Sequence, residues 1–215
     1  MNLLRPLSPS NCVLLICDIQ ERFIPLIYRS TTVVNTCRYM TSMATILNIP
    51  MICTQQYTKA FGNTVDECFA TSEIRTLVST PKIYEKKKFS MLTDEVQERL
   101  STMPLRNQYI LVGIEAHVCL QQTCMDLLRH NNNNTMERPV VDVYIVADGV
   151  SSQQPYDRHM ALQRMSQAGA ILSTSQSLVF ELMNTAEHAD FKTISKLTVE
   201  HMKLPNEFNE DFLNK

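Results

Sequence analysis

Six short apolar runs alternate with longer segments whose apolar residues recur every three or four positions, and this alternation constrains the fold more than any other property of the chain. The first run, Cys12-Val13-Leu14-Leu15-Ile16-Cys17, is continuous, the pattern of a strand covered on both faces. Val33, Cys37, Met40, Ala44 and Leu47 then mark one face of a helix that Pro50 ends. Met51-Ile52-Cys53 reads as the second strand, and a less regular stretch from Lys59 to Val78 leads to a third around Lys82-Ile83-Tyr84. Thr93 caps a short helix through Leu100. Tyr109-Ile110-Leu111-Val112-Gly113 is the fourth strand, and Ala116, Leu120, Cys124, Leu127 and Leu128 share a face of the helix behind it. Val140 to Val146 forms the fifth strand, Pro155 opens the next helix and Gly169 closes it. Ala170-Ile171-Leu172 is the sixth strand, and Ser173-x-x-Gln176 predicts a capping box for a helix through Leu182. A last amphipathic helix carries Phe191, Ile194 and Leu197.

Repeated strand–helix units predict an α/β fold, a three-layer doubly wound sheet that is six-stranded and mainly parallel, with order 3-2-1-4-5-6 and helices on both faces. The 215 residues suit one domain. It is expected over residues 11–203, after a lead-in at 1–10, with an asparagine-rich loop insertion at 131–139 and a polar tail at 204–215.

Composition narrows the chemistry by exclusion. The chain has 4 glycines, where average usage would give about 15. They lie singly at Gly62, Gly113, Gly149 and Gly169, so neither a dinucleotide fingerprint nor a P-loop can be assembled. A net charge of −2 argues against nucleic acid as a partner, because phosphate neutralisation usually leaves a basic excess. The only dense basic run is Lys86-Lys87-Lys88, and a reading as an RNA-interacting protein or nuclease rests on it alone. No apolar stretch approaches the roughly 20 residues needed to span a bilayer, so no membrane association is expected. The 7 cysteines are odd in number, lack C-x-x-C spacing and fall partly inside apolar runs. They read as reduced thiols of a cytoplasmic protein, with a mitochondrial location as the alternative. The histidines are scattered, so no metal site is expected, and no cofactor.

In an open parallel sheet, function gathers at the carboxyl ends of the strands where strand order reverses. Strand one ends at Asp18, strand three at the run Glu85 to Lys88, and strand four feeds a helix whose first turn carries Cys119. A helix N-terminus and a lysine ammonium would each favour the thiolate, and Asp18 could take the thiol proton.

The local sequences go further. Leu15-Ile16-Cys17-Asp18-Ile19-Gln20, Lys86-x-x-Phe89-Ser90 and Gly113-Ile114-Glu115-Ala116-His117-Val118-Cys119 resemble the three signature segments of the isochorismatase-like cysteine hydrolases. Asp148-Gly149-Val150-Ser151-Ser152, with Arg158, Leu162, Met165 and Gly169-Ala170, resembles the downstream part of that family, nearest to its isochorismatase-domain-containing branch. The resemblance implies Cys119 as nucleophile, Asp18 as proton acceptor and Lys86 as cation, Lys86 being the lysine three before Phe89. It also implies an oxyanion hole from the backbone N–H groups of Glu115 and Cys119. Gln20, Phe23, Tyr57, Phe89 and Ile114 are the candidate pocket residues.

Two departures refine the expectation. True isochorismatases lack the nucleophilic cysteine, so Cys119 points away from a vinyl ether substrate. The metal-binding Asp-x-His segment of the related nicotinamidases is replaced here by Thr54-Gln55-Gln56-Tyr57. The expected activity is therefore metal-independent hydrolysis of a small amide or related C–N or acyl bond, through a thioester, in a homo-oligomer with a small-molecule substrate. A catalytically silent metabolite-binding or scaffold protein of the same fold is the competing reading.

Overall fold

The computed structural model describes residues 5–80, 82–129 and 140–210. Six strands form one sheet: β1 (Cys12–Cys17), β2 (Met51–Gln56), β3 (Tyr84–Lys86), β4 (Gln108–Gly113), β5 (Asp142–Val150) and β6 (Ile171–Ser173). Their order is β3-β2-β1-β4-β5-β6 and every pairing is parallel, so the doubly wound architecture holds and the sheet is parallel throughout. β1 is buried along its whole length between β2 and β4, as its unbroken apolar run requires.

Helices α1 (Ser30–Ile46), α2 (Thr58–Phe61), α3 (Ser72–Val78), α4 (Asp94–Ser101), α5 (Gln121–Arg129), α6 (Pro155–Gln167), α7 (Ser175–Met183) and α8 (Phe191–Met202) cover the sheet. Leu14 and Ile16 face a core that takes Val33, Cys37 and Met40 of α1, Leu178 and Leu182 of α7 and Ile194 of α8. Val13, Leu15 and Cys17 face the other core, with Val96 of α4, Cys124 and Leu127 of α5 and Ala161 and Met165 of α6. The strand alternation of side chains thus feeds two separate apolar layers, each fully buried aliphatic adding about 1.5–3 kcal/mol.

Several local expectations shift. β3 starts at Tyr84 rather than Lys82, so the strand ends on Lys86 with its side chain turned inward and Glu85 outward. β5 runs on through Asp148 and Gly149 to Val150, past the expected end at Val146, because a register shift opposite Leu111 and Gly113 lets the pairing resume. Thr174, not Ser173, caps α7 by accepting from the Ser177 N–H, so a single cap bond replaces the expected Ser173–Gln176 capping box. The Thr93 cap of α4 and the Pro155 start of α6 are as expected. Within the segment read as a polar tail, residues 207–209 form a 3₁₀ turn whose Phe208 joins the α1-side core. The asparagine-rich insertion at 131–139 lies outside the described residues.

Candidate active site

The site is built where β1 and β4 diverge to opposite helical layers. Asp18, the first residue after β1, adopts a left-handed conformation with φ 54°. Tyr57 after β2 and Glu115 after β4 are left-handed as well, at φ 34° and 51°. Strained non-glycine backbone at the carboxyl ends of three adjacent strands is the pattern of a site whose side chains are aimed by the fold, since such residues persist only where surroundings enforce them.

Lys86, at the end of β3, reaches across β2 and sets its Nζ 2.6 Å from Asp18 Oδ2. The ammonium also donates to Gln56 Oε1 at 2.7 Å and to the carbonyls of Phe89 at 2.8 Å and Lys88 at 3.3 Å. Asp18 Oδ1 accepts from Thr54 Oγ1 at 2.7 Å, and the Cys17 thiol donates towards Oδ2 at 3.6 Å. Both members of the pair are almost closed to solvent, Lys86 at 3% and Asp18 at 2% exposure. Burial works against the lysine charge, but Cys17, Asp18 and Cys119 around it more than offset this, and its pKa is raised. Lys88, whose place two residues on could have mimicked Lys86, instead points outward towards Asp126 at 3.8 Å.

Cys119 sits in a π-helical turn, Ala116–Leu120, that joins β4 to α5. A π turn carries one residue more than an α turn, a distortion common at functional sites. The Cys119 thiol lies near enough to Asp18 and Lys86 to feel both charges. Thr123 Oγ1 donates to the Cys119 carbonyl at 2.7 Å and accepts from the Met91 N–H at 2.9 Å, which ties this turn to the segment following Lys86. Burial first, then the Asp18 charge, pushes the Cys119 thiol up to about 12, against the pull of Lys86. The expectation of a resting thiolate is therefore corrected: at neutral pH Cys119 is a thiol, because desolvation exceeds the stabilisation by helix and lysine.

Glu115 is anchored by its side chain, whose Oε1 accepts from Gln153 Nε2 at 2.6 Å. Gln20 is fully engaged with backbone: its Oε1 accepts from the Gln56 N–H, and its Nε2 donates to the carbonyls of Gln56 and Gly62. It holds β2 and the α2 turn together rather than offering a group to a ligand. Ile114 is fully buried in the α1-side core, on the opposite layer from Cys119, so its side chain is no pocket wall. Phe23 stacks on Phe61 with ring centroids 4.4 Å apart, and this pairing accounts for its aromatic character. Tyr57 and Phe89 remain exposed; the Tyr57 N–H donates to the Lys86 carbonyl, and the Phe89 carbonyl receives the Lys86 ammonium. They are the two candidate pocket residues that stand beside the cluster and face solvent.

Thr54, Gln56 and Thr123 are the residues that sequence reasoning missed. Their signal was present: Thr54-Gln55-Gln56 is a polar run closing a strand buried on nearly every side, which an unoccupied core position would not tolerate. Among the described residues no group of three or more His, Cys, Asp and Glu side chains is arranged to hold a metal ion.

With this geometry in view, the chain can be placed by its relatives. The isochorismatase domain family model matches residues 12–177, and the chain belongs to the isochorismatase family, with its hydrolase fold. It is 42% identical over 204 residues to the secreted isochorismatase effector Isc1 of Phytophthora sojae, covering 94% of this chain and 91% of that protein. It is 40% identical over 191 residues to isochorismatase domain-containing protein 2 of Danio rerio, covering 89% and 88%. The solved MAR1 ribonuclease of Caenorhabditis elegans superposes with a TM-score of 0.79 at 36% identity, covering 91% of this chain and 93% of that one. Among the described residues no helix is long and apolar enough to cross a membrane.

Proposed function

We propose that the protein is a metal-independent cysteine hydrolase of a small amide or related C–N or acyl bond, with Cys119 as nucleophile, Asp18 as proton shuttle and Lys86 as the cation that accommodates the developing thiolate. The observation that supports this most is the 2.6 Å Lys86–Asp18 pair placed beneath the one cysteine with measurable exposure, 6%, the other six being wholly closed. Since Cys119 rests as a thiol, its proton passes to Asp18 as sulfur attacks the carbonyl carbon. The tetrahedral oxyanion is held by the Glu115 and Cys119 N–H groups. Collapse breaks the C–N bond, the amine leaves with the proton carried by Asp18, and water then hydrolyses the thioester to the acid and free thiol. Tyr57 and Phe89 flank the entry. Seven free, buried thiols fit a reducing, cytoplasmic setting. Exposed Tyr156 and Met160 on α6 offer apolar surface for a homo-oligomer, readable by light scattering. A panel of small amides offered to the wild type and Cys119→Ala is the direct test, with mass spectrometry for an acyl adduct on Cys119. Turnover retained by the variant overturns the mechanism.

The name of the nematode relative brings a second reading, RNA cleavage. The lysine run lends it little, because Lys86 is sequestered, Lys87 lies over the Tyr57 ring and Lys88 faces Asp126. Salt-sensitive cleavage of a labelled single-stranded RNA, lost in Cys119→Ala, would transfer the cluster from amides to RNA.

A further inference from the structure

The turn that carries Cys119 also carries a histidine that the hydrolytic cluster does not use. His117 lies in the same π turn, Ala116–Leu120, and its side chain is 34% exposed. Its Nδ1 stands 3.0 Å from Ser152 Oγ and 3.4 Å from Glu115 Oε2, and its Nε2 stands 3.8 Å from Asp157 Oδ2 at the start of α6. With a carboxylate oxygen beside Nδ1, the network assigns the ring hydrogen to that nitrogen.

The contact matters because of where Glu115 stands. It is left-handed at φ 51° and 8% exposed, and its backbone N–H is one of the two given above to the oxyanion. Its Oε1 accepts from Gln153 Nε2 at 2.6 Å, whereas Oε2 is closed to solvent and the His117 ring is set against it. A buried carboxylate oxygen is costly unless a donor faces it. Ser152 and Gln153 belong to the loop between β5 and α6, and Ser152 is fully buried. In the same loop the Ser151 carbonyl accepts from the Ala116 N–H at 2.9 Å, and the Ser151 N–H donates to the Gly113 carbonyl at 3.3 Å. Backbone bonds thus fix the chain to that loop on either side of Glu115. The strained residue itself meets the loop through its side chain, with Gln153 on one oxygen and the Ser152-bound His117 beside the other.

We propose that His117 is a positioning residue of the hydrolytic site. By bridging Ser152 and Glu115 it holds the left-handed turn so that the Glu115 and Cys119 N–H groups are aimed at the oxyanion. This rests on the reading of Cys119 as the nucleophile. His117 acts through Glu115 and not on the reacting atoms. Its effect therefore falls on the step in which charge appears on oxygen, and not on the supply of nucleophilic sulfur, which Asp18 and Lys86 govern.

Two reagents separate these steps. p-Nitrophenyl acetate acetylates sulfur through a tetrahedral oxyanion: the S–C bond forms, the ester C–O bond breaks, p-nitrophenolate leaves, and the thiol proton passes through Asp18 to water. Iodoacetamide alkylates the same sulfur by displacing iodide, the thiol proton again going to water, and no oxyanion arises. Both reactions are followed on the full chain at one pH, with mass mapping of Cys119 and the unfolding midpoint of each variant. His117→Leu is expected to slow acetylation about 10- to 100-fold and to leave alkylation within about twofold of the wild type. His117→Asn, whose amide nitrogen stands as many bonds from Cα as Nδ1, is expected to recover most of the acetylation rate. Equal slowing of both reactions, or an Asn variant no better than Leu, overturns the proposal. Acetylation at full rate in His117→Leu overturns the role of His117 and leaves the hydrolytic reading standing. A wild type whose Cys119 is alkylated but never acetylated overturns both.

Discussion

Two buried aspartates, each at the far end of a central strand, have been given opposite surroundings. Asp18 on one layer is matched by an ammonium at 2.6 Å and by the Thr54 hydroxyl at 2.7 Å. Asp148 on the other layer is held only by the backbone and hydroxyl of Ser175. The first carboxylate is neutralised within the fold and crowded against a thiol; the second is met by hydrogen bonds alone. A doubly wound sheet makes both arrangements available, because strand ends on either layer open away from the packed core.

The largest expected effect concerns the first region. Cys119→Ala should lower amide turnover by at least about 10³-fold while leaving the unfolding midpoint nearly unchanged, measured by steady-state kinetics and calorimetry. Next, Lys86→Met should abolish turnover and also destabilise the fold by about 3–5 kcal/mol in urea unfolding, because it strands a buried carboxylate. Asp148→Asn should cost only about 1 kcal/mol, since no ion pair is broken there. If the two substitutions cost the same, the contrast between the aspartates fails.

Gly113→Ala probes the seam that holds the first region together. A Cβ at Gly113 would fall 2.6 Å from the Cys17 Cβ and closer still to the Cys17 carbonyl oxygen, so the β1–β4 contact must open. A loss of about 1–3 kcal/mol is expected, with a fall in turnover from misplacement of Cys119. Ala at Gly169, which has φ 105° but nothing near its Cβ position, should cost about 1 kcal/mol and leave turnover intact.

The smallest effects are those of pH. Cys12, Cys53, Cys119 and Cys124 are raised from 9.0 to about 12, mainly by burial. A raised folded-state pKa means that the neutral thiol is favoured by folding. Their contribution is therefore fully present below pH 9 and is lost as pH rises towards 12, which urea midpoints across that window will show. Over the same range alkylation of Cys119 should accelerate, and it should lead the other six because it alone has any exposure. Fast labelling at neutral pH would restore the resting thiolate and sharpen the difference between the two layers in the other direction.

Much of this was legible in the chain. The central apolar runs fall on their strands because a parallel strand covered on both faces has few residue types open to it, whereas the short edge strand β3 starts two residues later than its run. Asp18, Lys86 and Cys119 could be nominated from their positions after strands one, three and four. Of the partners, Thr54 and Gln56 show only as a polar run closing a buried strand and Thr123 not at all, since hydroxyls and amides are compatible with many local settings and acquire meaning only through what they face. Ile114 and Gln20, expected as pocket residues, turn elsewhere for the same reason: which way a side chain points after a strand ends depends on the turn, and left-handed turns at Asp18, Tyr57 and Glu115 redirect the chain.

By itself, then, the sequence determined the sheet, its helical cover and the residue types at the strand ends, because hydrophobic periodicity and turn chemistry are local properties. Only the tertiary structure decided that Cys119 rests protonated, that Lys86 and not Lys88 turns inward, and that Asp148 is held by Ser175 and not by a cation. Desolvation and charge pairing are sums over neighbours distant in the chain, and no local pattern contains them.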